Sequence, residues 1–181
     1  MEQNDSADLL RGIAQDRKMT AEDLEDGTML KEAIHRFNAE RTEQDLFEIL
    51  MLLRDSIVCV PCSAIFSERD QERMQKALDD TNGDPEALVG QEFVSLDEVR
   101  LVPDVLQSGE NFFFPVFSSE DEMGEYGESF SKISQYFTDV IPLARNNERN
   151  VSGIVINAFT EPFVLARELF DLVAGMSSRI E

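Results

Sequence analysis

A chain of 181 residues with 42% hydrophobic and 29% charged side chains suits one globular core and is too apolar to remain wholly disordered. Its 37 acidic against 16 basic residues leave a formal net charge of −21 with the single histidine neutral. Nucleic acid and anionic lipid should therefore be repelled, while a basic protein is the easier partner.

The two densest basic neighbourhoods do not override that average. Arg69 to Lys76 is interleaved with acids, and Arg145 to Arg149 occupies one short turn. Met1-Glu2-Gln3-Asn4-Asp5 lacks the basic and apolar regions of a secretory signal. The longest aliphatic run, Ile49 to Leu53, falls far short of the ~20 residues that cross a bilayer. Two cysteines do not make a disulfide framework. A soluble cytoplasmic protein is expected.

Residues 1–26 read as an acidic arm, weakly structured or helical, whose apolar positions are few: Leu9, Leu10, Ile13 and Leu24. A single domain is expected over 27–181. It opens with two helices, the first burying Leu30, Ala33, Ile34 and Phe37. The second is capped by Thr42 and buries Leu46, Ile49, Leu50 and Leu53.

Ile57-Val58-Cys59-Val60-Pro61 reads as a short buried strand, and Ser67 caps a charged helix running to about Leu78. The acidic stretch 79–85, with Gly83 and Pro85, breaks that helix into an exposed loop. Two strands follow, 99–106 and 112–117, joined as a hairpin through 107–111. In the second, Phe114 and Val116 should share one face and Phe113 and Phe117 the other. Pro115 donates no ladder hydrogen bond, which favours an edge or a bulge there. A hydroxyl of Ser118 or Ser119 should cap a helix started by Glu120, Asp121 and Glu122.

The remainder reads as strand 129–134, helix 136–146, strand 153–157, a turn at Glu161-Pro162, strand 163–165 and a final helix burying Leu169, Leu172, Val173 and Met176. These elements imply an α/β fold, a mixed sheet with a hairpin flanked by helices.

Phe114-Pro115-Val116-Phe117-Ser118-Ser119 resembles the proline-valine-phenylalanine-threonine/serine-serine signature of the SseB family, the enhanced serine sensitivity proteins. Val151-Ser152-Gly153-Ile154-Val155-Ile156-Asn157 is similar to that family's second landmark, in which the asparagine is usually followed by proline. Here Ala158 stands in its place. The two-helix lead into Val60-Pro61 and the ending at Phe163-Val164-Leu165 also match, so the likeness spans about residues 29–175. It implies a domain of the N-terminal type. Many members continue into a second domain, whose contribution is not expected of this chain. The family has no agreed reaction, so the resemblance implies a shape and an accessory or protein-binding role.

The chemistry-bearing residues point the same way. In Cys59-Val60-Pro61-Cys62, thioredoxin-like exchange would need the first thiol at a helix N-terminus, whereas Cys59 falls inside a strand. Cys59 as nucleophile with Cys62 as resolving thiol is the enzymatic alternative. Asp80, Asn82 and Gly83 imitate a calcium loop, but Leu78 and Val89 would occupy its first and last ligand positions. His35 has no second histidine or cysteine at zinc-ligand spacing and no nucleophile elbow beside it. Glycine-rich phosphate loops are missing from the sequence.

No cofactor or metal is expected. Ser118, Ser119 and Asn157 lie at predicted carboxyl ends of strands, where open α/β sheets bind ligands, and are the candidate binding residues. The expected role is a non-catalytic protein-binding or accessory module. The alternative is an acidic, immunity-like inhibitor of a basic protein.

Overall fold

The computed structural model describes residues 19–180. Most of the acidic arm, with Leu9, Leu10 and Ile13, lies outside the described residues. The described remainder forms one short helix and buries two side chains. Thr20 and Asp23 form a reciprocal cap on helix α1, Ala21–Glu25. Leu24 is buried in the core, and Met19 is buried where it bridges to Ile180.

The two-helix lead is present. In α2, Thr28–Glu40, the residues Leu30, Ala33 and Ile34 are buried, with Phe37 packed against them. In α3, Glu43–Asp55, Thr42 accepts a hydrogen bond from the Asp45 amide at 3.0 Å. Its buried stripe holds Ile49, Leu50 and Leu53 as expected and also Leu52.

The expected α/β fold divides its strands between two sheets. Strand β1, Ile57–Ile65, is central to a three-stranded antiparallel sheet, between β2, Arg100–Pro103, and β5, Ser131–Tyr136. It runs past the expected end at Pro61 because β2 supplies ladder partners for Cys62 to Ile65. The second sheet has the order β3-β4-β6-β7, with β3 Leu106–Ser108, β4 Asn111–Val116, β6 Gly153–Ile156 and β7 Phe163–Ala166. Only β4 and β6 run parallel. The sheets meet where Phe117 and Cys59 exchange backbone hydrogen bonds of 2.8 and 2.9 Å.

The expected single strand 99–106 is therefore two strands in different sheets. The first ladder ends at Pro103, the Asp104 amide donates to the Pro61 carbonyl, and the chain then crosses to the second sheet. The hairpin connection shrinks from 107–111 to Gly109-Glu110, with Gly109 at φ 61. Strand β4 is interior, yet β3 pairs no further along it than Phe113. At Pro115 one side of β4 is open, which satisfies the proline locally.

Neither Ser118 nor Ser119 caps a helix with its hydroxyl. The segment Glu120–Ser129 is 3-10 helix kinked at Gly124, and it displaces the next strand from 129–134 to 131–136. Helix α5, Phe137–Arg145, and a short α6, Phe170–Gly175, complete the cover. Leu172 is exposed instead of buried, because α6 starts at Phe170 and its inward face passes through Phe170 and Val173.

Helices α2, α3, α5 and α6 cover one continuous core, in which Ile34, Leu53, Phe137 and Phe170 meet Val58, Phe114, Ile154 and Leu165 of the sheets. Phe114 and Val116 point into it, while Phe117 joins Cys59 and Met123 in a separate cluster. No helix of the described residues is long and apolar enough to cross a membrane.

Candidate functional site

The parallel strands β4 and β6 end side by side, and the first candidate site is built there. The Asn157 amide donates to the Val116 carbonyl at 3.0 Å. Asn157 takes a left-handed backbone, φ 53, a conformation asparagine tolerates better than most residues. Its side chain then reaches Ser118. The Ser118 amide donates to Asn157 Oδ1 at 2.9 Å, and Asn157 Nδ2 donates to Ser118 Oγ at 3.0 Å. Both residues are buried.

Ser119 stays out of this pair. It is half-buried and makes no side-chain cap, and its carbonyl accepts from the Glu122 amide at 3.3 Å. Thus two of the three candidate residues are brought together, and they satisfy each other.

Around them a polar junction ties three elements. Gly27, at φ 72, precedes α2 and lies so close to Ser118 that an added Cβ would sit 2.2 Å from the Ser118 carbonyl oxygen. One turn further, Lys31 Nζ lies 2.5 Å from Glu122 Oε1, and the Thr160 hydroxyl donates to the same carboxylate. Burial pushes the Glu122 carboxyl up. Its bonds to Lys31 and Thr160 and the Lys31 charge outweigh burial and hold it below the usual carboxylate range. Hydrogen bonding to Glu122, reinforced by its charge, raises Lys31. His35, exposed, places Nδ1 2.8 Å from Glu161 Oε1. The sequence reading took Glu122 for a helix-start acid. Its pairing with Lys31 leaves no signal in local order.

Strand alternation puts Cys59 and Cys62 on opposite faces of β1, Cys62 in the main core and Cys59 against Phe117 and Met123. Both are free thiols. Burial, then the charge of Glu120, pushes the Cys59 thiol up. Burial, then Cys59 and Asp104, pushes Cys62 up to about 11. Among the described residues, no three His, Cys, Asp or Glu side chains gather to hold a metal ion.

A second region has the opposite construction. Helix α4, Glu68–Asp80, is capped by Ser67 and packs mainly on the turn Pro85–Leu88. Its one buried side chain is the carboxylate of Asp70. Asp70 accepts from Ser95 Oγ at 2.6 Å, the Leu96 amide at 3.0 Å, the Asp97 amide at 3.1 Å and Arg73 Nη1 at 2.9 Å. The Ser95 hydroxyl, outweighing burial and helped by those amides and Arg73, holds Asp70 well below the usual carboxylate range. Asp97 in turn takes bonds of 2.6 Å from Ser67 Oγ and Arg69 Nη2.

This polar clasp closes the arm 66–98 while leaving apolar side chains in solvent: Val89 is 81% exposed, Val94 69% and Leu96 56%. Met74 and Phe93 of the same segment are exposed in part, Phe93 lying edge-on to Phe66 and beneath the Arg73 guanidinium, and Glu86, Glu92 and Glu98 lie in that segment too. The sequence shows Phe93, Val94 and Leu96 outside any regular element, which is the signal that could have identified them.

No match was found among curated proteins or among solved structures. The family described as the SseB protein N-terminal domain matches residues 30–169, from the first turn of α2 to the start of α6. That span takes in both landmarks, the Pro115 to Ser119 strand end and the Gly153 to Asn157 strand, which the Ser118–Asn157 pair joins in space. The chain belongs to the SseB family, through that family's N-terminal domain.

Proposed function

We propose that this chain is a non-catalytic protein-binding or accessory module that docks a partner on the arm 66–98. The observation that carries the reading is the exposure of Val89, Val94 and Leu96 on a segment clasped by part-buried hydrogen bonds to Asp70. Apolar side chains held out by a fixed backbone lose their contact with water when a partner covers them, without a large ordering cost. The acids Glu86, Glu92 and Glu98 beside them, and the net charge of −21, favour a partner with basic residues around an apolar centre. The thiol-exchange alternative draws no support from two buried thiols on opposite faces of one strand.

Immobilised chain is to be exposed to cell extract at low and high salt, beside a variant carrying Val89→Ser, Val94→Ser and Leu96→Ser. A basic protein retained by the native chain and lost with the variant is the expected result. Equal retention by both would sink the docking assignment. The net charge of −21 also supports a second reading, an acidic inhibitor that covers a basic enzyme. Capture would then be abolished by salt, indifferent to the three substitutions, and accompanied by loss of the captured enzyme's activity.

A further inference from the structure

A cleft of about 680 Å³ opens between β2, the β3–β4 hairpin and the turn that follows α5. That volume lies within the range of small-molecule sites, about 300–1,000 Å³. Val102, Phe112 and Leu143 give it apolar walls, and Arg100 and Arg149 line it with positive charge. The cations are the informative part. In a chain with 37 acids and 16 bases a guanidinium is surrounded by candidate carboxylates, and Arg54, Arg69, Arg73 and Arg145 each pair with one and Arg36 with two. Arg100 and Arg149, like Arg41, Arg167 and Arg179, are in no ion pair with a carboxylate among the described residues, and these two are the ones that line the cleft. Arg149 instead holds its guanidinium over the Phe112 ring, 5.5 Å from the centroid, and its amide donates to Asn147 Oδ1 at 2.9 Å. One face of that guanidinium is thus placed by the aromatic ring, while its N–H donors are uncommitted among the described residues.

Two acids share the lining. Asp104 accepts the Tyr126 hydroxyl, which engages it within the fold, and Glu148 is exposed next to Arg149. Repulsion from the many distant acids is screened beyond ~8 Å at physiological salt, so groups in direct contact dominate what the cleft accepts.

We propose that this cleft binds a carboxylate carried on an apolar or aromatic body. The carboxylate sits between Arg100 and Arg149, and the body lies against Phe112 and Leu143. A guanidinium donates two parallel hydrogen bonds to a carboxylate, and apolar walls beside it select against small hydrophilic anions. The same chemistry occurs in a free arylalkyl acid and in the C-terminal residue of a peptide.

The isotope-labelled chain is to be titrated, with backbone amide shifts as readout, against 3-phenylpropionate, against its neutral amide, and against a short peptide ending in a free phenylalanine carboxylate. The acid should move the amides of Phe112, Asn147 and Arg149, and the neutral amide should bind about tenfold more weakly. Arg100→Ala and Arg149→Ala should each weaken the acid by about tenfold, and Glu148→Gln should tighten it. Tighter binding of the peptide assigns a protein tail, and tighter binding of the small acid assigns a metabolite. Leu143→Glu, at an exposed position, keeps the test open should an arginine variant melt early, because it should also abolish binding. Equal binding of acid and amide, shifts confined to other residues, or no shifts at about 10 mM acid would overturn the proposal. The docking assignment for the arm stands or falls separately, since none of these substitutions lies within 66–98.

Discussion

The junction at Ser118 and Asn157 and the arm 66–98 are built on inverted plans. At the junction, polar groups are buried and bonded to one another. In the arm the buried group is a carboxylate, and apolar side chains stand in solvent. A strand end usually marks a ligand site because free backbone and hydroxyl groups gather there. Here the Asn157 side-chain amide is spent on the Ser118 amide and hydroxyl, and the Asn157 backbone on Val116 and Thr160, so these bonds tie the two strand ends together. The arm differs in that its polar groups are spent on shape and its apolar groups are left over.

The sharpest way to break that contrast is through glycine. Gly27 and Gly83 both have positive φ, 72 and 79, but a Cβ at Gly27 would meet the Ser118 carbonyl oxygen at 2.2 Å, and one at Gly83 meets nothing within 4 Å. Gly27→Ala should cost on the order of 3 kcal/mol, left-handed strain plus overpacking, whereas Gly83→Ala should cost about 1 kcal/mol from strain alone. Urea midpoints at unchanged m-value measure both. Equal losses would show that the junction is not close-packed.

Next in size is Asn157→Ala. It leaves the buried Ser118 amide without its 2.9 Å acceptor and places alanine at φ 53, for a loss of about 2–3 kcal/mol. Ser119→Ala, at the neighbouring candidate that makes no side-chain cap, should change the midpoint by less than about 0.5 kcal/mol.

What could be read in advance follows the range of the interactions. The caps at Thr42 and Ser67 and the stripes of α2 and α3 depend on neighbours within one or two turns, and they were legible in the sequence. The stretch 99–106 was not, because its division depends on which strand pairs with each half. The first half pairs with β1, which lies before the arm, and the second with β4, which follows it. Ser118 and Asn157 were picked correctly as strand-end residues, but only the parallel register Val116↔Ile156 makes them partners. Arg100 and Arg149 meet in one cleft for the same nonlocal reason, and in sequence Arg149 belonged to an unremarkable turn.

Acid should loosen the arm before the junction's glycine and asparagine contacts. The folded arm keeps the Asp70 carboxyl below its ordinary value, so near pH 4 it binds fewer protons than the unfolded chain does. Its stabilising effect is complete above about pH 4 and is lost as pH falls from there toward the lower folded value. Hydrogen exchange should show the Leu96 and Asp97 amides, bonded to Asp70, losing protection on acidification while those of β4 and β6 persist. Asp70→Asn should open the same amides at neutral pH and leave little further pH dependence in the arm. Uniform loss across both regions would mean that the arm is not a separate cooperative unit.

The smallest stability effect is expected where the functional effect is expected to be largest. Val94→Ser replaces an apolar side chain that is 69% exposed, so little buried area disappears and the midpoint should move by less than about 0.5 kcal/mol. The Val94 carbonyl still accepts the 3.0 Å bond from Arg73 Nη1, a backbone contact that the substitution leaves in place. Partner capture should nevertheless fall, because an apolar residue covered on binding contributes roughly in proportion to the area removed from water. Capture unchanged beside an unchanged midpoint would remove Val94 from the docking surface. A large fall in stability would show that it packs within the arm, and the exposed apolar segment would then be structural.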